Sequence, residues 1–282
     1  MRCQWQAFIK ILPQWLQEPV DRLGREQLTE LRLRVGQAPQ LVIMTRSLRL
    51  ERTVSSEDIS FSINAASRYS PWSAQSASSG YITAPGGHRL GLCGDAVLSE
   101  GKCSGFRTVT SLCIRVARDI SDICGTLQSI DGSILLIGPP GSGKTTLLRD
   151  LIRSRSEKEQ RSIAVLDERG EIFPFEQGKP CFPTGHRTDV LTGCNKADGI
   201  TMLIRCMSPD VIAVDEITAP EDCTALIHAG WCGVRLIATA HAASKEELFR
   251  RTVYKPLLEA RLFEWLVTLH QDKSWKLERM EL

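Results

Sequence analysis

The chain has 282 residues, of which 42% are hydrophobic and 24% charged, enough to bury a sizeable core in one large or two modest domains. Its 35 Lys and Arg residues nearly balance 33 Asp and Glu residues, and a net charge of +2 argues against a nucleic-acid protein that relies on a strong basic field. No apolar run approaches the ~20 residues that span a bilayer, and the ten cysteines include no C-x-x-C pair. We therefore expect a cytosolic chain with free thiols, whose contact with a membrane is at most peripheral.

Residues 1–118 have the mixed pattern of a smaller α+β domain. The stretch LRLRV, which begins at Leu31, alternates apolar residues with arginine, as a strand with one buried face does. Ser55–Ser70 opens with serines and acids and continues with apolar residues at helical spacing, which predicts a capped helix. From 79 to 118, polar and apolar residues alternate between glycine breaks, and this pattern predicts hairpin strands.

Residues 119–282 differ, because short apolar runs end in polar residues and are separated by segments of helical spacing. The runs are SILLIG (Ser133–Gly138), SIAVLDE (Ser162–Glu168), DVIAVDE (Asp210–Glu216) and GVRLIATAH (Gly233–His241). Apolar strands that alternate with helices indicate an α/β fold whose parallel sheet is covered by helices on both faces. Ligands of such sheets bind at the carboxyl ends of the strands, where the polar residues fall here.

The first of these runs leads into a phosphate-binding loop. GPPGSGKT (Gly138–Thr145) fits G-x-x-x-x-G-K-[ST] and lies between an apolar strand and the helical segment TTLLRDLIR. In such loops backbone N–H groups surround the phosphates, Lys144 reaches the outer phosphates and the Thr145 hydroxyl ligates Mg²⁺. The predicted nucleotide-binding residues are Gly138, Pro139, Pro140, Gly141, Ser142, Gly143, Lys144, Thr145 and Thr146.

Two further motifs raise the question of a GTPase, because DERG (Asp167–Gly170) fits D-x-x-G and NKAD (Asn195–Asp198) fits the N-K-x-D that holds guanine. Lys144 and Asp167 are only 23 positions apart, and a helix and a strand nearly fill that interval, so no room remains for a switch segment. The stretch before Asn195 is too polar for the buried strand that precedes this motif in GTPases. We therefore interpret NKAD as the start of a helix in a loop.

A third argument against a GTPase is a better metal-ligand candidate later in the chain. Asp215 ends the apolar strand Val211–Val214, the position of a Walker B carboxylate that holds Mg²⁺. Glu216 follows directly and can polarise an attacking water as a general base, although a solvated acidic turn is the alternative for this pair. His241, past the next strand, is either a contact of the γ-phosphate or a neutral structural histidine.

Four segments resemble those of the ATPases that drive type II and type IV secretion. GPPGSGKTTLLRDLIR, VLDERGEI, RCMSPDVIAVDEI and AGWCGVRLIATAHAAS look like their Walker A motif, Asp box, Walker B motif and His box. Within this superfamily, LRLRVG, GYITAPGGHRLGLCGDAV and RTDVLTGCNKADGITMLIRCMSPDVIAVDEI resemble the distinctive segments of the stage III sporulation AA family. The resemblance runs from about Leu31 to the end, but the tetracysteine zinc module of type II motors is absent and the N-terminal domain is short.

The resemblance implies a RecA-like P-loop domain of the ASCE type at 119–282, preceded by the N-terminal domain at 1–118, with ATP and Mg²⁺ as cofactors. It implies a cytosolic homo-hexameric ATPase that docks on the channel proteins of a sporulation complex between mother cell and forespore, on the mother-cell side and without spanning the membrane. The alternative from another class is a nucleotide-gated assembly scaffold in which hydrolysis is incidental. The residues carried over are Glu216, Lys144, Glu168 and His241 as catalytic groups, and Thr145, Asp215 and, as a further candidate beside its reading as a strand-end acid, Asp167 as magnesium ligands.

Ring ATPases commonly complete each site with an arginine from the neighbouring subunit, which adds positive charge at the γ-phosphate. The candidates in this sequence are Arg89, Arg115, Arg169, Arg187 and Arg205. Each of these arginines could equally be the partner of a surface ion pair.

Overall fold

The computed structural model describes residues 1–43, 46–68, 80–158 and 161–280. The α-helices are α1 (Trp5–Lys10), α2 (Gln14–Leu23), α3 (Ser56–Ser67), α4 (Lys144–Lys158), α5 (Lys196–Met207), α6 (Pro220–Trp231), α7 (Lys245–Arg250) and α8 (Lys255–Glu259). The strands are β1 (Leu28–Arg34), β2 (Gln40–Ile43), β3 (Arg46–Arg49), β4 (Tyr81–Thr83), β5 (Arg89–Ser99), β6 (Lys102–Arg115), β7 (Ile134–Gly138), β8 (Ile163–Asp167), β9 (Phe175–Glu176), β10 (Lys179–Pro180), β11 (Thr188–Thr192), β12 (Val211–Ile217), β13 (Arg235–His241), β14 (Trp265–Leu269) and β15 (Trp275–Arg279).

The chain divides into two compact units. The first comprises Met1–Asp119 together with Pro174–Cys181, and the second comprises Ile120–Phe173 together with Phe182–Leu282. The excursion Pro174–Cys181 carries the short hairpin β9–β10. The sequence division after residue 118 does not contain this excursion, because a hairpin of two-residue strands has no periodic pattern to detect.

The first unit is built on an antiparallel sheet with the strand order β3-β2-β1-β6-β5-β4. Leu31 and Leu33 of β1 are buried and Arg32 between them is exposed, as the alternation predicts. The predicted helix is α3, whose capping box pairs Ser55 with Asp58 at its start. Residues 69 and 70, where the sequence placed the end of this helix, lie outside the described residues.

His88 is a buried histidine of this unit whose two ring nitrogens are both hydrogen bonded. Its Nδ1 accepts from the backbone N–H of Ala117 at 3.0 Å, so Nε2 carries the proton and donates to the carbonyl of Gln4 at 3.1 Å. Burial lowers the pKa of His88 to about 4. The hydrogen bond to Gln4 raises this pKa, and the positive charge of Arg118 lowers it further. The folded unit therefore needs a neutral imidazole at this position.

We expect the free energy of unfolding to fall as the pH drops from 6.5 towards about 4, because the unfolded chain protonates His88 and the folded chain does not. Above pH 6.5, the pKa of the unfolded chain, neutral His88 makes its full contribution to the free energy of unfolding. The difference between the pKa values of the unfolded and folded chains corresponds to about 3 kcal/mol. Urea unfolding followed by tryptophan fluorescence across this pH range measures it. The variant His88→Gln, which cannot titrate, is expected to decline less steeply, and an equal decline in both proteins would contradict the assignment.

The second unit contains a sheet with the strand order β11-β8-β12-β13-β7-β14-β15. Its neighbouring strands are parallel except β15, which pairs antiparallel with β14. Every residue of β7 and of β8 is buried, which requires cover on both faces of the sheet. The carboxyl ends of β7, β8, β12 and β13 therefore meet at one edge of the sheet, at the positions where the sequence predicts ligand binding.

Two further properties concern the described residues as a whole. No helix among them is long and apolar enough to cross a membrane. All ten cysteines lie in the described ranges and carry free thiols, as the sequence predicts.

Candidate nucleotide site

The phosphate loop connects buried β7 to the first turn of α4. Gly141 and Gly143 adopt φ angles of +72° and +100°, which side-chain-bearing residues rarely adopt. A Cβ at Gly138 would meet Ser142 Oγ at 2.6 Å and the Leu269 carbonyl at 2.8 Å, so the loop closes tightly against β14. These glycines form the cradle of backbone N–H groups that the phosphate-loop pattern predicts.

Lys144 is 6% exposed and lies along the inner side of this loop. Its Nζ donates to the carbonyls of Gly138 at 2.8 Å and Pro139 at 3.0 Å. Burial lowers the pKa of Lys144, although the negative charges of Asp215 and Glu216 oppose this shift. The ammonium group is thus held at the mouth of the phosphate cradle by its own loop.

The other predicted loop residues are spread over the outer side of the cradle and the start of α4. Ser142 is 1% exposed, whereas Pro139, Thr145 and Thr146 are half-buried and Pro140 is exposed. The Ser142 N–H donates to the Pro139 carbonyl at 3.2 Å, which closes the turn.

Asp215 lies directly beside the phosphate loop, at the end of the buried run Val211–Val214 in β12. Its Oδ2 accepts from the Thr145 hydroxyl at 2.6 Å, and its Oδ1 accepts from the Thr239 hydroxyl at 2.5 Å. A carboxylate and a hydroxyl oxygen in contact are the ligands that Mg²⁺ takes when its remaining positions go to phosphates and water. These donors therefore fit magnesium, and no group of three or more His, Cys, Asp or Glu residues in the described part of the chain offers a closed metal site instead.

Glu216 is turned towards the site by an irregularity of β12. The pairing of β12 with β13 shifts register between Val214 and Ile217, and Glu216 has a left-handed φ of +56°. Its backbone N–H donates to the Thr239 hydroxyl at 2.8 Å, so one threonine fixes Glu216 and its neighbour Asp215. A strained backbone of this kind is typical of functional positions.

The side chain of Glu216 belongs to a line of polar contacts that ends at the phosphate loop. Its Oε1 lies 2.6 Å from His241 Nε2, and His241 Nδ1 lies 3.2 Å from Lys144 Nζ. Because a lysine can only donate, Nδ1 is the acceptor and His241 donates from Nε2 to Glu216. Burial raises the pKa of Glu216, but the hydrogen bond from His241 and the charges of Arg169 and Lys144 outweigh it, so the pKa lies below its usual value.

Asp167 is 3% exposed, and both of its oxygens are taken by backbone N–H groups. Its Oδ1 accepts from Glu171 at 2.8 Å, and its Oδ2 accepts from Ile172 at 2.9 Å and Phe173 at 2.8 Å. Burial raises the pKa of Asp167 to about 6. The hydrogen bonds from the backbone lower this pKa, whereas the negative charge of Asp215 raises it. This placement favours a role in ordering the loop after β8 over the magnesium ligand that the sequence offered as a further candidate.

Glu168 is held by the lysine of the NKAD segment. Lys196, 5% exposed, donates from Nζ to Glu168 Oε2 at 2.6 Å and lies 3.8 Å from Asp222 Oδ2. The pair faces a small cavity of about 20 Å³, which Asp215 and Glu216 also line. That volume accommodates about one water molecule.

The rest of NKAD caps helix α5, as the sequence predicts. Asn195 Oδ1 accepts from the Asp198 N–H at 2.9 Å, and Asn195 Nδ2 donates to Asp198 Oδ2 at 2.7 Å. The stretch before this segment forms β11, which pairs with β8 alone at the edge of the sheet and has no buried residue. It is therefore not the buried strand that precedes N-K-x-D in GTPases, as the sequence predicts.

We expect Asp198→Asn to leave the preference for adenine or guanine nucleotides unchanged and to lower the free energy of unfolding by at most about 1 kcal/mol, the range of a helix cap. If Asp198 bound guanine, the change would shift preference towards xanthine nucleotides, because one carboxylate acceptor would become a donor. Competition among ATP, GTP and XTP for the wild-type protein and the variant distinguishes these outcomes.

Sequence reasoning missed two contacts and left one open. Thr239 is fully buried, and its polar side chain inside the apolar run LIATA is a signal that could have indicated a role. Lys273, in the turn between β14 and β15, donates to the Gly141 carbonyl, and no local pattern marks it. Of the candidate arginines, Arg169 contacts a predicted site residue, since its Nη1 donates to Glu216 Oε2 at 3.0 Å.

The remaining candidate arginines lie elsewhere. Arg89 stacks over the Tyr81 ring and Arg115 is 3.5 Å from Glu30, both within the first unit. Arg187 and Arg205 are exposed residues of the second unit, at the edge of β11 and in the last turn of α5.

Solved structures with a similar architecture identify the fold. The ATPase DotB of Legionella pneumophila superposes with a TM-score of 0.61 at 17% identity, over 95% of this chain and 80% of that one. The pilus retraction motor PilT, solved with bound ADP, gives a TM-score of 0.60 at 15% identity, over 94% of this chain and 83% of that one. The fold is thus the α/β, RecA-like P-loop fold that this chain shares with these two proteins, as the sequence predicts.

The comparison of sequences identifies the family to which the chain belongs. Stage III sporulation protein AA of Bacillus subtilis is 35% identical over 278 residues, which are 94% of this chain and 91% of that protein. The family model described as sporulation stage III, protein AA matches residues 8–277. The chain belongs to this family, as the resemblance of its motifs indicated.

Proposed function

We propose that this protein is a magnesium-dependent ATPase that powers or gates a secretion-like channel during sporulation. The observation that carries the proposal is the single line of contacts from Lys144 through His241 to Glu216, beside the pair of Thr145 and Asp215. This arrangement supports the proposal, because the residues proposed as the phosphate-binding cation, the magnesium ligands and the general base belong to one set of contacting side chains. Those are the parts that ATP hydrolysis needs.

The residues divide the chemistry among them. Thr145 and Asp215 would hold Mg²⁺, which supplies neutralising charge on the β- and γ-phosphate oxygens. Lys144 binds the outer phosphates. Glu216 accepts the proton of the attacking water, and His241 holds the Glu216 carboxylate by donating to one of its oxygens. The cavity next to Glu216 has room for about one water, which supports this assignment.

The cellular setting is proposed from the family alone. The relative in Bacillus subtilis is named as a stage III sporulation protein, and we propose that this protein acts in the mother-cell cytoplasm, at the membrane that faces the forespore. There it would assemble as a homo-hexamer on channel proteins. The hexamer is carried over from the resemblance of the four motifs to those of the secretion ATPases, and the fold shared with DotB and PilT is compatible with that resemblance.

Native mass and the rate of phosphate release from ATP, measured together across protein concentration, test the proposal. We expect hydrolysis to require Mg²⁺ and the rate per chain to rise as the protein assembles, because subunits in a ring depend on one another. Absence of hydrolysis at every concentration and assembly state would refute the ATPase assignment. A rate per chain that stays constant as the protein assembles would contradict the proposal that hydrolysis depends on a ring.

The alternative is a scaffold that assembles on binding ATP and for which hydrolysis is incidental. The left-handed backbone of Glu216 argues against it, since a strained general-base position has no use in a pure assembly switch. Complementation in sporulating cells separates the two. A Glu216→Gln protein that assembles and restores full sporulation would favour the scaffold.

A further inference from the structure

Arg169 lies on a turn whose backbone is fixed by the chain itself. Asp167 accepts three N–H groups from the residues after the turn, and the Gly170 N–H donates back to the Asp167 carbonyl at 3.2 Å. Gly170 has a φ of +66°, which lets the chain reverse tightly. The side chain of Arg169 therefore leaves from a defined position at the carboxyl end of β8.

From this position Arg169 reaches the proposed general base of its own chain. Its Nη1 donates to Glu216 Oε2 at 3.0 Å, while His241 contacts the other oxygen of the same carboxylate. The side chain of Arg169 is 49% exposed. Arg169 also lines the cavity beside Glu216, and its guanidinium carries five N–H donors in all.

The contacts of Arg169 lead back to the phosphate loop without leaving the chain. The line runs from Arg169 to Glu216, from Glu216 to His241 and from His241 to Lys144. Lys144 marks where the outer phosphates bind, and a planar guanidinium matches the oxygens of a phosphate group. Arg169 therefore belongs to the same connected set of polar side chains as Lys144 of its own chain.

We propose that Arg169 is a catalytic residue that acts in cis, contacting the γ-phosphate of ATP bound to its own phosphate loop and orienting Glu216 towards the attacking water. The proposal rests on the proposed ATPase function and deepens it. In the hydrolysis step the water oxygen bonds to the γ-phosphorus, and the bond to the bridging oxygen breaks with its electron pair leaving on ADP. The proton of the water passes to Glu216, and Arg169 keeps its protons throughout and balances the charge on the phosphate oxygens.

The first test compares Arg169→Ala with wild type and with Arg250→Ala, an exposed arginine of α7 as the matched control. We expect Arg169→Ala to lower kcat by about 10³-fold, the lower range for an arginine at a γ-phosphate, and Arg250→Ala to change it less than about twofold. Arg169→Lys, which keeps the charge but not the fork, is expected to recover part of the loss. An Arg169→Ala protein with a wild-type rate would overturn the proposal.

A second readout excludes a merely structural defect. Arg169→Ala should weaken binding of a slowly hydrolysed ATP analogue about tenfold, the scale of one hydrogen bond to a charged group, while its affinity for ADP stays as in wild type. Equal loss of affinity for both nucleotides would mean that Arg169 only supports the fold of the site.

Mixing two inactive variants distinguishes cis from trans action. Arg169→Ala subunits keep their own Lys144, and Lys144→Ala subunits keep Arg169, so a trans arginine would restore activity in mixed assemblies. We expect no activity beyond that of the separate variants, with mixed assembly verified by native mass of differently tagged subunits. Recovery on mixing would overturn cis action, and a monomeric protein in which Arg169→Ala is inactive would support it.

The failure of this inference is distinguishable from failure of the proposed function. Wild-type protein that releases no phosphate refutes both. Wild-type protein that hydrolyses ATP together with an active Arg169→Ala protein refutes only the role of Arg169.

Discussion

Replacing Glu216 with Gln is expected to leave ATP binding near the wild-type level and to slow turnover at least ~10²-fold, the usual scale for a general base. The amide has nearly the same shape as the carboxylate, and its one oxygen can still accept from either His241 or Arg169, which now donate to the two different oxygens of Glu216. It cannot take the proton of the attacking water. Steady-state phosphate release and nucleotide affinity, measured on the same preparation, report the two effects separately.

Glu157→Gln is the matched control for this change, because Glu157 is an exposed residue near the end of α4, far along the helix from the phosphate loop. We expect it to keep the wild-type rate. Near-normal turnover by the Glu216 variant would remove Glu216 from the mechanism.

Lys144→Ala is expected to weaken ATP binding by about 10²-fold, as loss of a hydrogen-bonded charge from a partly buried phosphate site does. The change also leaves the carbonyls of Gly138 and Pro139 without the donor that now joins them, so the loop loses part of its support. Displacement of a fluorescent nucleotide measures the affinity.

Lys158→Ala, on the same helix, is the control for this second variant. Its Nζ contacts Gln128 at the far end of α4 and is exposed, so its loss should not change nucleotide affinity. Equal affinity of Lys144→Ala and wild type for ATP would show that the nucleotide binds elsewhere.

The sequence predicts those parts of the fold and site that depend on local residue patterns. The apolar runs that became β7, β8, β12 and β13 are long enough to identify as buried strands. Because the carboxyl ends of parallel strands lie at one edge of the sheet, the sequence also predicts that Lys144, Asp215 and Glu216 lie close together. The capping pattern at Asn195 likewise identified the start of α5.

The parts that the sequence does not predict depend on contacts between distant segments. Glu168 pairs with Lys196, 28 positions away, and Arg169 pairs with Glu216, 47 positions away. In both cases the local sequence predicts only an exposed charged residue at each position, because hydrophobic periodicity does not indicate which charged residues form ion pairs. The hydrogen bonds that hold Asp167 are local, but a backbone turn of this kind has no side-chain signature beyond Gly170.

The measurement that most directly tests the central claim is phosphate release from ATP by the wild-type protein, Lys144→Ala and Glu216→Gln in parallel, with Mg²⁺ and with excess EDTA. We predict a saturable rate for wild type with Mg²⁺ only, and rates near background for both variants. Hydrolysis by wild type that persists in EDTA, or that the two variants match, would contradict ATP hydrolysis at this site.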